Sequence, residues 1–169
     1  ADVTSGDDVV DSNAIDFKEY IESVNVQHKP GGNGNFQNIL PNAQGIYELS
    51  ENDSIQFKIN YKLPGKTLAE DKKNVYYQLP SGIKIVSEEN GKVYNSAGQE
   101  VGAYCIATNG RITINFYDAY VNGNSNGSEI NGYINFESSL KNIETEDSGK
   151  TNLSLKDNVS VSFQITDKI

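Results

Sequence analysis

The chain has 169 residues, with 14 Lys+Arg against 23 Asp+Glu and a formal net charge of −9. That charge repels phosphate backbones and anionic lipid surfaces, which argues against nucleic acid and membrane as partners. A hydrophobic fraction of 36%, 15 Gly and the lone Cys105 fit one loop-rich β domain with no intrachain disulfide and a buried, inert thiol.

In chain order, residues 1–13 are polar and acidic without periodicity, so a flexible leader is expected there, with a single domain over 14–169. The absence of Met, position 1 included, suggests a chain that begins after a removed segment. Ser12 or Asn13 is placed to cap a helical turn through Asp16 to Tyr20, and Ile21, Val24 and Val26 carry a first strand. Lys29-Pro-Gly-Gly-Asn-Gly-Asn35 reads as a loop. Ile55, Phe57, Ile59 and Tyr61 alternate with Gln56, Lys58 and Asn60, the period of two of a half-buried strand.

Further strands are predicted at Val75 to Leu79, Ile83 to Val86, Lys92 to Tyr94 and Val101 to Ala107, with turn signals at Pro80-Ser81-Gly82, Asn90-Gly91 and Ala97-Gly98. Ile112, Ile114 and Phe116 alternate with Thr113, Asn115 and Tyr117 after Asn109-Gly110, which reads as a two-residue type I′ hairpin. Gly132 to Glu137 and Val159 to Ile165 complete the set. Roughly nine or ten strands, with no helical period between them, predict an all-β antiparallel sandwich.

The succession Asp53-Ser-Ile-Gln-Phe-Lys-Ile-Asn-Tyr61, Tyr77-Gln-Leu-Pro-Ser-Gly82, Gly98-Gln-Glu-Val-Gly102, Ile112-Thr-Ile-Asn-Phe-Tyr-Asp118 and Ile130-Asn-Gly-Tyr-Ile-Asn-Phe-Glu137 resembles the Ig-like A-region subdomains of Gram-positive cell-wall-anchored adhesins. The first A-region subdomain of collagen-binding adhesins is the nearest likeness. The resemblance implies a variant Ig fold, an extracellular place on a bacterial surface and a role in adhesion to a host matrix protein or surface glycan. In that family the ligand is held between neighbouring subdomains, so a site shared with a second domain is implied too.

The residues themselves offer little chemistry for an enzyme. His28 is the one histidine and reads as a surface residue beside the Gly-rich loop. Nothing suggests a resident cofactor except one stretch of alternating oxygen ligands. Asn122, Asn124 and Asn126, with Asp118 and Glu129 nearby, have the spacing of the first half of a calcium loop. Asn stands where a charged first ligand is needed and Tyr133 where the bidentate Glu should fall, which favours a plain turn-forming loop. In related surface domains a Lys and an Asn crosslink beside a buried acid, and Lys58, Asp118 and Asn158 are the candidates for such an isopeptide bond. It requires all three in the core, whereas periodicity puts Lys58 on the wet face.

Ten Tyr with no Trp leave the tyrosines as binding candidates. Tyr76, Tyr94, Tyr104, Tyr117, Tyr120 and Tyr133 fall opposite or beyond the expected core positions and offer flat amphipathic area for a protein or sugar ligand. The expected function is that of a non-catalytic adhesin domain. The competing readings are a structural stalk or pilin-like module without a ligand, and a carbohydrate-binding module.

Overall fold

Strands fall where apolar and polar residues alternate. The computed structural model describes residues 15–70 and 72–166; the expected leader and domain start lie outside them. Twelve strands form among the described residues: β1 (Ile15–Asp16), β2 (Ile21–Lys29), β3 (Gln37–Asn38), β4 (Ile46–Ser50), β5 (Ser54–Leu63), β6 (Val75–Gln78), β7 (Glu89–Asn95), β8 (Glu100–Ile106), β9 (Arg111–Phe116), β10 (Ile130–Ser139), β11 (Lys150–Lys156) and β12 (Val159–Thr166). Nine make one large sheet in the order β1-β6-β9-β8-β7-β10-β5-β2-β3, and β11-β12-β4 make a small one. The pairings are antiparallel except β1 with β6 and β12 with β4, which are parallel. The fold is an all-β sandwich.

The core lies between the sheets. Along β5, Ile55, Phe57, Ile59, Tyr61 and Leu63 are buried while the residues between them are not. Phe57 stacks on Phe136 of β10 at 6.0 Å and meets Phe163 of β12 at 6.1 Å. Burying a ring of this size stabilises by roughly 1.5–3 kcal/mol. The Tyr77 hydroxyl donates to the Leu155 carbonyl at 2.8 Å and so ties the large sheet to the small one. Burial pushes its ionisation well above the ordinary tyrosine value.

Several local expectations are corrected. The helical turn at Phe17–Tyr20 is a 3-10 turn capped by Asp16, whose carboxylate accepts from the Lys18 N–H at 3.0 Å. Ile83 to Val86 is not a strand; Ile83 makes one isolated bridge to Ile143. Asn90-Gly91 is no turn but lies inside β7. The β8–β9 hairpin is not type I′ either. Gly110 takes the left-handed conformation (φ 85) and Asn109 does not. The Gly110 N–H donates to the Ala107 carbonyl and the Ala107 N–H to the Arg111 carbonyl, which makes a three-residue loop closed by a left-handed glycine. Cys105 points away from the core, opposite Thr113, and is half-buried; desolvation and then Glu88 push its thiol up.

The first half of the expected Asn-rich loop, through Ser125, belongs to a helix, α1 (Asp118–Ser125), and the rest is a turn. Its Asn and Gly residues are poor helix formers, so tertiary burial must hold it. Val121 and Asn124, three residues apart and on one face, are its buried residues.

Candidate functional site

The outer face of the large sheet is set by register. Tyr133 on β10 pairs with Asn60 on one side and Tyr94 on the other, and Asn135 pairs with Lys58. All five turn away from the core residues Ile59, Ile134 and Val93. Tyr94 and Tyr133 stack with centroids 5.2 Å apart and planes at 26°. The Lys58 ammonium sits 4.4 Å above the Tyr133 ring, close enough for an attraction of about 0.5–1 kcal/mol at an exposed site.

Amide side chains extend this face toward the β3 edge. Asn60 Nδ2 donates to Ser23 Oγ at 3.0 Å and Asn25 Oδ1 at 2.9 Å. Gln56 donates to Gln27, and Gln27 to Asn38, each at 2.9 Å. Asn135 Oδ1 is buried with no hydrogen-bond partner among the described residues. Toward the other edge, Arg111 lies 4.4 Å over the Tyr76 ring. Tyr76 and Tyr133 are four strand intervals apart, roughly 19 Å at about 4.8 Å each.

The remaining tyrosine candidates lie elsewhere. Tyr104 faces inward: it pairs with Ile114, is 8% exposed, and its hydroxyl donates to the Asn135 carbonyl at 2.7 Å. Burial, then Glu89 and Glu137, push its ionisation up to about 12. Tyr120, on α1, is half-buried against Phe116 at 5.5 Å and donates to the Asn131 carbonyl at 3.1 Å. Tyr117 is exposed just before α1 and its hydroxyl donates to the Glu100 carboxylate. That bond, with Lys92, holds the Glu100 carboxyl below the ordinary range.

The metal candidates do not converge as ligands. Asn124 is fully buried and its amide is spent on backbone: Oδ1 accepts from the Leu68 N–H at 2.7 Å, and Nδ2 donates to the carbonyls of Leu63, Pro64 and Ser128. It staples α1 to the loop after β5 and has no lone pair turned to solvent. Asp118, Asn122, Asn126 and Glu129 are exposed along and after the helix. The isopeptide candidates also part. Lys58 is on the outer face, Asp118 in the exposed first turn of α1, and Asn158 in the exposed β11–β12 turn at φ 72.

His28 is half-buried, less exposed than the expected surface residue. It pairs with Ile55, and its Nδ1 lies 3.5 Å from Asp53 without a hydrogen bond; that buried carboxylate accepts from the Gly31 and Ser50 N–H groups. The surface hollows are groove-like. One of about 680 Å³ runs between β11 and Pro80–Gly82, and another of about 250 Å³ holds Glu89, Glu137 and Lys84.

No family model and no curated protein matches the sequence. Two solved structures are similar to this chain. One is the serine-rich repeat protein Srr2 from Streptococcus agalactiae, at TM-score 0.49 and 9% identity over 90% of this chain and 46% of that one. The other is the serine-rich repeat adhesion glycoprotein Srr1 from Streptococcus agalactiae, at TM-score 0.45 and 13% identity over 90% of this chain and 48% of that one. The chain spans about half the length of each. Likeness at this level assigns no function. Among the described residues no helix is long and apolar enough to cross a membrane.

Proposed function

We propose that this chain is a non-catalytic adhesin domain of a bacterial surface protein, which meets a host matrix protein or surface glycan with the outer face of its large sheet. The observation that carries the reading is the Lys58–Tyr133–Tyr94 cluster in the middle of a polar, solvent-facing sheet. Stacked tyrosines give rigid amphipathic area at low entropic cost, and the flanking amides supply hydrogen bonds that fix a ligand's orientation. Cell-wall anchoring, the finer kinship with collagen-binding A regions and a site shared with a neighbouring domain belong to the same reading and rest on the sequence resemblance.

The test is a binding screen of the purified domain against immobilised matrix proteins and a glycan array. Binding to one class that Tyr133→Ala removes supports the reading. A domain that binds nothing in either panel fits the stalk module instead.

A further inference from the structure

The sequence contains six Asn-Gly pairs: Asn33-Gly34, Asn90-Gly91, Asn109-Gly110, Asn122-Gly123, Asn126-Gly127 and Asn131-Gly132. In such a pair the glycine nitrogen, unshielded by a side chain, can attack the preceding carboxamide. The attack requires a free N–H, a mobile carboxamide and a backbone able to rotate, and the fold withdraws these conditions from five of the six. Asn90-Gly91 and Asn131-Gly132 are held in paired strands, opposite Cys105-Tyr104 and Lys62-Tyr61. The Gly110 N–H donates to the Ala107 carbonyl at 2.8 Å, while Asn109 Oδ1 accepts from the Arg111 N–H at 3.0 Å. Gly123 lies inside α1. The Gly127 N–H donates to the Asn124 carbonyl at 2.9 Å.

Asn33-Gly34 differs in its exposure and in its free glycine N–H. Both residues are exposed between the 3-10 turn Pro30–Gly32 and β3, outside any strand or helix. No described residue accepts a hydrogen bond from the Gly34 N–H. A Cβ on Gly34 would meet nothing within 4 Å, so no neighbour packs on the glycine. The Asn33 carboxamide is held by one long bond, Nδ2 to the Gly31 carbonyl at 3.3 Å.

We propose that Asn33 is a site of spontaneous deamidation, selected from six equivalent sequences by the fold. The Gly34 nitrogen gives its proton to water and bonds to Asn33 Cγ; the Cγ–Nδ2 bond breaks, and the amide nitrogen takes up a proton and leaves as ammonia. Water then opens the cyclic imide at either carbonyl, leaving an aspartyl or isoaspartyl residue. One water is consumed and one ammonia released, with no change of oxidation state. The product carboxylate cannot donate, so the bond to Gly31 is lost. A negative charge is also added to the loop whose Gly31 N–H donates to the buried Asp53 carboxylate at 2.9 Å.

The experiment is incubation of the folded protein at mildly alkaline pH, followed by peptide mass mapping and enzymatic methyl labelling of isoaspartate, with a parallel sample held unfolded in urea. In the folded protein the residue at position 33 is modified at least roughly tenfold faster than any other of the six asparagines, since each of those must first open locally. In urea the six rates converge, and N33Q yields no isoaspartate in that peptide. Modification of Asn90, Asn109, Asn122, Asn126 or Asn131 in the folded protein as fast as Asn33 would overturn the proposal. So would an Asn33 that reacts in urea and not in the folded state.

Discussion

The Tyr104 ring fills the space over Gly91, its cross-strand partner: a Cβ on Gly91 would fall 2.3 Å from the ring's Cζ. The ring crosses the β7 backbone at this point, which lets its hydroxyl reach the Asn135 carbonyl on β10 at 2.7 Å. A side chain at 91 must push the ring out of the core and break that bond. Gly91→Ala is therefore expected to destabilise the fold by about 1–3 kcal/mol, and Tyr104→Phe by about 1 kcal/mol for the lost hydrogen bond. Urea denaturation measures both. An alanine variant with the parent's midpoint would show that the ring does not need the gap.

Asn124 gives a second test. Asn124→Asp replaces a donor facing three carbonyls with a carboxylate in a fully buried position, at a cost of about 3 kcal/mol or more. With this amide committed to backbone, calcium and EDTA are both expected to leave the melting midpoint of the parent protein unchanged. A rise in midpoint with calcium would return α1 and its flanks to the metal reading.

The face assignments of β5 were legible in the sequence, because Ile55, Phe57, Ile59 and Tyr61 leave only one parity for a core and put Lys58 outside. In β8 both parities carry apolar residues, with Val101 and Ala103 on one and Tyr104 and Ile106 on the other, so alternation alone misplaced Tyr104. The hairpin held the missing signal: closing it on Gly110 pairs Ile106 with Ile112 and Tyr104 with Ile114, which puts the tyrosine inward. Strand β11 was missed because Leu153 and Leu155 are its only apolar residues. Helix α1 was not legible at all. It exists because Asn124 meets the backbone of Leu63 to Leu68, some sixty residues earlier in the chain, a relation no local pattern encodes. The tyrosine–lysine cluster likewise depends on a register between β5, β10 and β7 that the sequence does not state.

Glu89 sets a pH dependence. Desolvation first, then the Glu137 carboxylate, raise its pKa above the ordinary 4.5. The folded state thus binds the proton more tightly than the unfolded one in the window just above pH 4.5. The stability from protonated Glu89 is fully present below that window and is lost as pH rises through the raised folded value. Glu89→Gln should remove this component, so the variant gains on the parent as pH rises across the window. Parallel melting curves at every pH would contradict the burial argument.

Lys58, Asp118 and Asn158 lie on three separate elements, and the latter two are exposed, so the desolvated amine and acid that an isopeptide bond requires are not assembled. Intact-protein mass spectrometry is expected to give the full unmodified mass. A deficit of one ammonia, with a crosslinked peptide joining positions 58 and 158, would refute this placement.

The claim that the outer sheet face is the contact surface is tested most directly by titrating the ligand found in the screen against the parent, the Tyr94→Ala/Tyr133→Ala double variant, and an Asn152→Ala control on the small sheet. Truncating two central aromatics is expected to weaken binding by at least about 2 kcal/mol, some thirtyfold, with Asn152→Ala matching the parent and all three proteins folded. Parent-level affinity in the double variant, or a loss in the Asn152→Ala control alone, would contradict the account.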